Sequence, residues 1–411
     1  MDADVVVIGA GPVGGLAARQ LARKGLSVLL LEEHREVGQP VHCAGLIGIN
    51  GLHENGVYPR SDVILQRVRR SIFHAPSGTQ LAIDKGEPHA YVLHRDRLDQ
   101  QIVREAEAAG TILQLETRVL RTQRDQNGIR LTVLKRGSKQ EIQTRFIVNA
   151  EGIRAQLMCQ HGLPRPKSAY MLPALQYEVA NVSLLQDTVH LFFDAKIAKS
   201  FFSWVIPLDE QHARIGLATA HRQARPALDH FLKHCSLLSG AKIVKRFGGV
   251  VYTGGPSAKT VTQRWVNVGD AAGQTKATTG GGVVAGGACA ILAAESIYRA
   301  LKDGDYKHRE LLRYERRWKQ QWGRQLQLMA ILRRFVNTLE NHELDQLFIK
   351  LHSSQARQLI ESRGDIDRQG RIIMAALTSP VLLRHVLWLI LKKSRFLPQL
   401  WWGEKKAFQQ G

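Results

Sequence analysis

The spacing of apolar positions changes twice within the first thirty residues. The run VVVIG follows Asp2 and Asp4. After it, apolar residues recur three and four apart (Val13, Leu16, Ala17, Leu21) until Gly25, and a second apolar run, SVLLLE, ends on Glu32. A strand period giving way to a helical one and back predicts a βαβ unit. A second helix is predicted within 92–110, VLHRDRLDQQIVREAEAAG, with Arg95 at its start and Leu98, Ile102 and Ala106 on one face.

Farther along, the stretches ALQYEVANV, TVHLFFDA, FFSWVIPL and ARIGLAT alternate apolar and polar positions between 165 and 253. They predict an antiparallel sheet with one face free to take an apolar ligand. Residues 264–295 read as a strand, a Gly-Asp turn, a loop and a helix of small residues. From 306 the period is helical, and Tyr314, Trp318, Trp322 and Leu326 form a stripe that predicts core.

Composition narrows the classes. The 411 residues exceed one ordinary core, and 44% hydrophobic content excludes disorder as the default. Fifty-seven basic against 36 acidic residues leave +21. From Lys302 onward there are 21 basic and 11 acidic residues, so +10 falls on the last quarter of the chain. Such a balance suits phosphates, an anionic membrane surface or nucleic acid. No module interleaving aromatic and basic residues is legible, so nucleic acid is not expected as a partner. Cys43, Cys159, Cys235 and Cys289 are scattered, without CxxC or zinc spacing, which predicts a reducing compartment and no metal or iron–sulfur site. The first apolar run lacks a basic flank, so a cytoplasmic location is expected.

The chemistry begins at Gly9-x-Gly11-x-x-Gly14, which follows a strand and opens a helix. In that context Gly9 makes a tight turn, Gly11 lets a pyrophosphate approach the backbone, and Gly14 packs helix on strand. Glu32, eighteen residues after Gly14, is placed to accept from adenosine ribose hydroxyls, and its charge disfavours a 2′-phosphate. The segment GDAAGQTKATTGGG (269–282) then sets an acid and bare backbone before an apolar helix, whose N-terminal N–H groups point at a ligand.

This pairing resembles the flavoprotein class that includes aromatic hydroxylases. The resemblance implies FAD, with Asp270 on the ribityl chain and the helix N-terminus at Gly282 and Val283 facing the flavin edge. It implies an α/β (α+β overall) architecture: a Rossmann-like FAD-binding domain with an inserted antiparallel-sheet substrate domain and a C-terminal helical region. The expected boundaries are 1–60, 92–164 and 255–301 for the FAD domain, and 61–91 and 165–254 for the substrate domain. The basic, helical C-terminal region is expected over 302–411. The Asp-Gly…Ser-Arg landmark of hydroxylases is replaced by NAEGIRAQL, with Glu151 and Ala155 in the acid and serine places.

VGQPVHCAGLIG (37–48), KSFFSWVIPLDEQHARIGLA (199–218), the 269–282 segment and RYERRWKQQWG (313–323) together resemble the geranylgeranyl reductase family, flavoproteins that saturate carbon–carbon double bonds of isoprenoid chains. The resemblance implies FAD contacts from Val13, Glu32, Cys43, Ala44, Leu46, Arg95, Val119, Asp270, Gly282 and Val283. It places Cys43 beside the flavin ring and Trp204 at the substrate, the two candidate catalytic residues. In the family's Pro-x-x-Tyr-x-Trp-x-Phe-Pro pattern, this chain keeps Trp204 and Pro207 but has Lys199, Phe202 and Ile206 elsewhere. The implied substrate is an isoprenoid lipid or isoprenoid diphosphate, with ferredoxin or NAD(P)H as external reductant. Residues 371–406 carry seven basic residues and one acidic among Leu, Ile and Trp, predicting an interfacial helix and peripheral attachment to an anionic membrane. Two other readings stand beside this one. The Phe202-x-Trp204-x-Ile206-Pro207 run also resembles flavin-dependent halogenases or monooxygenases of small aromatics, and the N-terminus resembles membrane-associated electron carriers.

Overall fold

The strand Ala3–Ile8 (β1) is buried along nearly its whole length, as an apolar run in the middle of a parallel sheet requires. The computed structural model describes residues 1–220, 223–306, 309–351, 358, 360–362 and 364–370. The basic tail over 371–406 lies outside the described residues. After β1 come the helix Pro12–Arg23 (α1) and the strand Val28–Leu31 (β2), parallel to β1 in the register Val5↔Val28 to Ile8↔Leu31. Strand, helix and strand are those the periodicity predicts.

The chain divides into two units. The first comprises Met1–Leu65, Leu93–Met171 and Tyr252–Leu326. Its sheet runs Val261–Thr262, Trp265–Asn267, Ser138–Asn149, β1, β2, Ile112–Gln114, and all neighbours but the first pair are parallel. The long strand Ser138–Asn149 continues into a meander with Ile129–Lys135 and Thr117–Arg124. Apolar side chains of β1, β2 and the meander form one buried cluster that includes Ile8, Leu31, Leu131, Ile147 and Trp265.

Two helices flank α1 in this unit. Arg95–Ala108 buries Leu98, Ile102 and Ala106, the predicted face. Val283–Lys302 is the helix of small residues; it is long and apolar enough to cross a membrane, yet two-thirds of its apolar window is buried inside the protein. Its glycines explain the close fit. A Cβ on Gly286 would fall 2.9 Å from Val13, and one on Gly287 2.7 Å from Leu16, so α1 approaches backbone rather than side chains. Tyr314, Trp318, Trp322 and Leu326 are all buried. That stripe is why residues 302–326 group with the first unit, in place of a separate region from 302; the described residues from Gln327 group with the second.

The second unit comprises Gln66–Val92, Leu172–Val251 and those residues from Gln327. Its seven-stranded sheet runs Lys242–Tyr252, Met171–Ala180, His212–Ala218, Ser203–Pro207, Thr188–Phe192, Arg70–His74, Gln80–Asp84. From Met171–Ala180 to Gln80–Asp84 the pairs are antiparallel except where Thr188–Phe192 pairs parallel with Arg70–His74. One face packs on the helix Ala224–His234 through Tyr177, Val205, Ile215, Leu228 and Phe231.

Candidate functional site

The glycine fingerprint has the geometry its chemistry needs. Gly9 has φ +95°, and a Cβ there would lie 2.5 Å from the Ala150 carbonyl oxygen, so only glycine makes the turn. A Cβ on Gly14 would overlap that same turn at the Gly9 carbonyl. Gly11, the N-cap of α1, differs: a Cβ would meet nothing within 4 Å, and no side chain caps the helix. Bare backbone therefore faces open space at a positive helix end, which suits a diphosphate.

Glu32 closes this cradle from β2. Its Oε2 accepts the Ala10 N–H at 2.8 Å, and its Oε1 accepts the His34 N–H at 3.1 Å. The His34 ring Nδ1 also lies 2.6 Å from Oε1, so the carboxylate is held at the C-terminal edge of the sheet. Val13 packs under Gly269, where a Cβ would lie 3.2 Å from it. Val119, only 9% exposed, is chiefly part of the hydrophobic cluster, with Leu31 and Ile8 among its members.

Arg95 ties distant segments together. Its side chain is 11% exposed and pairs with Asp99 one turn on at 3.0 Å. Burial works against its charge, but Asp99 and a hydrogen bond to the Cys43 thiol push its pKa up, so it stays cationic. Among the described residues its buried Nε has no partner. An orphaned guanidinium N–H is what a phosphate oxygen would satisfy. The Cys43 sulfur also accepts the Gly45 N–H at 3.4 Å. Ala44 and Leu46 flank that glycine, and Leu46 begins the short strand Leu46–Gly48.

Asp270 lies one residue past Gly269 (φ +65°). Its Oδ1 accepts from the Thr275 hydroxyl at 2.8 Å and lies against Gly282, where a Cβ would fall 2.5 Å away. Burial raises the Asp270 carboxyl above the usual carboxylate range, while Thr275 and the Arg95 charge pull the other way. The helix after it starts at Val283 with Gly282 as N-cap and no side-chain cap. Its first-turn N–H groups thus stay open to a ligand.

Arg95 is thus bonded to Cys43, and its charge also acts on Asp270, although 52 and 175 positions separate them (95 − 43 and 270 − 95). The residues present fit a dinucleotide: two uncapped helix starts, an orphaned guanidinium and glycines whose side chains would fill the cradle. Trp204 belongs to the second unit. Among the described residues its buried Nε1–H has no partner, and the indole lies over Gly216.

Several supporting hydrogen bonds are absent from the sequence reading, which has Tyr314 only as part of a core stripe. The Gly269 N–H donates to Gln274 Oε1 at 2.8 Å, Gln274 Nε2 to the Tyr314 hydroxyl at 3.0 Å, and that hydroxyl to the Asn267 carbonyl at 3.0 Å. Asn55 Nδ2 donates to the Val284 carbonyl at 2.9 Å. This buried network fixes the Gly-Asp turn and the helix behind it. Only the small-residue composition of 269–282 signals that something must hold it. At the altered hydroxylase landmark, the Glu151 carboxylate accepts from the Gln156 and Leu157 N–H groups and the Asn149 amide, so it caps its own loop.

Comparison with known proteins agrees with this geometry. The family model described as lycopene cyclase protein matches residues 4–384. Digeranylgeranylglycerophospholipid reductase 2 of Methanothermobacter thermautotrophicus is 32% identical over 360 residues, covering 85% of this chain and 92% of that protein. The digeranylgeranylglycerophospholipid reductase of Methanocaldococcus jannaschii is 28% identical over 389 residues, 93% and 97% of the two chains. Among solved structures, a geranylgeranyl bacteriochlorophyll reductase-like protein of Thermoplasma acidophilum superposes with a TM-score of 0.85 at 22% identity, covering 94% and 99%. The p-nitrophenol 4-monooxygenase of Pseudomonas putida reaches 0.72 at 16%, covering 89% and 98%. The fold is thus that of the aromatic hydroxylases and halogenases, a mixed parallel sheet with a second, largely antiparallel one. By sequence, the chain belongs to the digeranylgeranylglycerophospholipid reductase family of oxidoreductases.

Proposed function

We propose that this chain is an FAD-dependent reductase that saturates carbon–carbon double bonds in the isoprenoid chains of a membrane lipid. The observation that carries the reading is the bare-backbone cradle at Gly9, Gly11 and Gly14 together with the Asp270 turn packed against Gly282, within a chain of this family. FAD, when bound and reduced, supplies a hydride from its N5 atom to one alkene carbon.

The protein's part is to bind, orient and shield. Gly9, Gly11 and Gly14 open backbone to the pyrophosphate, Arg95 opposes its charge, and Glu32 accepts from the ribose. Asp270 holds the ribityl hydroxyls, and the helix starting at Gly282 and Val283 offers its positive end to the ring edge. Ala44, Leu46, Val13 and Val119 complete the apolar lining. The second alkene carbon needs a proton, and the Cys43 thiol is the candidate donor in the first unit. An isolated alkene has no carbonyl to take charge, so positive character builds on carbon; the Trp204 π face is suited to soften it. The donor of electrons is an external reductant, either NAD(P)H or a small redox protein. The +10 carried from Lys302 onward supports peripheral attachment to an anionic membrane from the cytoplasmic side.

The test is anaerobic. Dithionite-reduced protein incubated with digeranylgeranyl phospholipid should yield lipid heavier by two hydrogens per bond, with reoxidation of the flavin. Flavin that stays reduced with every isoprenoid offered rules the reading out, and oxygen uptake driven by a small aromatic would move the protein to the monooxygenase reading.

A further inference from the structure

The first unit holds a second concave site. A groove of about 610 Å³ runs along Thr117–Arg124, the outer strand of the meander, and is bounded by Gln160, His161 and Thr262. It shares no residue with the dinucleotide cradle. A β-bulge shapes its floor. The register with Ile129–Lys135 shifts between Val119↔Val133 and Arg121↔Thr132, so Leu120 is an extra residue. Leu120 and Arg121 are consequently exposed side by side, where strict alternation would turn one of them inward.

The charge in this groove is unbalanced. Neighbouring arginines are matched: Arg118 with Glu33 at 3.6 Å, Arg130 with Glu141 at 3.7 Å, Arg136 with Glu116 at 3.3 Å and Arg145 with Asp4 at 3.1 Å. Arg121 and Arg124 are exposed and, among the described residues, make no ion pair; no acidic residue lines the groove. Behind them Arg264 is 6% exposed, a third cation on this side of the unit. Like charges gathered without a counter-ion favour an anion between them.

A polar chain fixes one more donor. The Gln160 amide oxygen accepts the Thr122 N–H at 2.7 Å and the Thr122 hydroxyl at 3.0 Å. That hydroxyl gives its proton to Gln160, so its oxygen accepts from His161 Nε2 at 2.9 Å. The His161 ring in turn stacks on the buried Trp265 at 4.1 Å. The Gln160 oxygen is thus pinned to the strand, and among the described residues its Nε2 hydrogens have no acceptor. Because N–H directions alternate along a strand, Arg124 presents its N–H to the same outer side as Thr122.

We propose that this groove is a second anion site, which takes the diphosphate group of a small ligand on the Arg121 and Arg124 guanidinium groups and the Gln160 amide. Guanidinium forks suit phosphate oxygens, and two of them without an acid call for more than one negative charge. The volume exceeds a bare diphosphate and leaves space for what carries it, a nucleoside or a short prenyl chain. The site stands independently of the FAD reading.

The experiment is calorimetry on the full chain loaded with FAD, so that the cradle at Gly9 to Gly14 is filled. The probes are inorganic diphosphate, ADP and dimethylallyl diphosphate. The groove variant Arg121→Gln/Arg124→Gln is compared with wild type and with Arg104→Gln/Lys139→Gln, which removes the same charge from exposed positions elsewhere in the unit. Wild type should bind with saturation, and the groove variant about a hundredfold more weakly, roughly tenfold per charged donor lost. The control variant should stay within about threefold of wild type. If the double variant melts early, Arg121→Gln alone should still weaken binding about tenfold. ADP bound more tightly than free diphosphate assigns a nucleoside ligand, a preference for dimethylallyl diphosphate assigns a prenyl one, and equal affinities assign the diphosphate alone. No saturable binding of any probe overturns the proposal. So does an equal loss in both variants, which would mark general attraction to a chain of charge +21. Protein that takes up no flavin overturns the FAD reading instead, and the comparison of the two variants still decides the groove.

Discussion

Trp204 lies across the bare α-carbon of Gly216, its partner on the neighbouring strand of the second unit. A Cβ at 216 would fall 2.6 Å from indole Cζ2 and 2.7 Å from Cε2, with Gln176 Cγ 2.7 Å away on the other side. The indole is flat on the sheet because residue 216 has no side chain. Gly216→Ala therefore pushes the ring off its place. Overpacking of this kind costs about 1–3 kcal/mol. The expected outcome is a lower melting temperature, a shifted tryptophan emission and slower lipid reduction at saturating substrate. Emission and stability both equal to wild type would mean that the strands absorb the methyl and that Gly216 does not set the indole's position.

Glu151 supports a second prediction, at the landmark where hydroxylases carry an aspartate. Its carboxylate accepts from Gln156 at 2.9 Å, Leu157 at 3.0 Å and the Asn149 amide at 2.9 Å. Glu151→Ala strips acceptors from these donors, at about 1–3 kcal/mol if water does not replace them. Urea midpoints should fall while the visible spectrum of bound flavin is unchanged. A changed spectrum with an unchanged midpoint would give Glu151 a cofactor role instead of a loop cap.

What the sequence discloses and what it withholds divide along the range of the interactions. Gly9, Gly11, Gly14 and Glu32 act through backbone conformation and short spacing, so the strand–helix–strand pattern suffices to read them. Asp270 and the glycines after it are legible for the same reason. The bonds of Gln274 and Asn267 to Tyr314 are not, because they span 40 and 47 positions and the helical stripe shows Tyr314 only as core. Arg95 shows the middle case. Its place at a helix start is readable, but its pairing with Asp99, its contact with Cys43 and its orphaned Nε depend on burial. The sheet of the second unit is likewise read as antiparallel because alternation cannot reveal that Thr188–Phe192 runs parallel to a strand over a hundred residues earlier.

Asp270 offers a test by pH. Burial raises its carboxyl, with the Thr275 bond and Arg95 opposing. The folded protein then keeps the Asp270 proton to higher pH than the unfolded chain does. Native protein holds the extra proton in the window above the unfolded value of about 4, so this group's contribution falls as pH rises through that window. Asparagine binds no proton there. Flavin-free Asp270→Asn should therefore gain stability relative to wild type as pH rises from about 4, with a constant difference beyond the window. In loaded protein the same variant should weaken flavin binding about tenfold through a lost charge-assisted hydrogen bond. A stability difference independent of pH would show that Asp270 titrates normally.

The second unit carries its own acid sensitivity. His74 Nε2 and His190 Nδ1 are 3.0 Å apart, the rings are 9% and 7% exposed, and Phe192 stacks on His74 at 4.1 Å. Burial, with the His190 charge adding at His74, lowers both from 6.5 to about 4. Both rings are therefore neutral in the folded protein at pH 5–6, where the unfolded chain binds protons. Their contribution is complete above pH 6.5 and is lost as pH falls through about 4. Because the rings are coupled, the two proton uptakes belong to the pair rather than to either ring. The double variant His74→Phe, His190→Leu removes both titrations from the apolar face. His161 in the first unit, also lowered to about 4 by burial and then by Arg124, is untouched by it. Urea midpoints measured from pH 7.5 to 4.5 should fall less steeply in the double variant than in wild type. Parallel curves would mean that the pair remains protonated in the fold and that acid unfolding of this unit begins elsewhere.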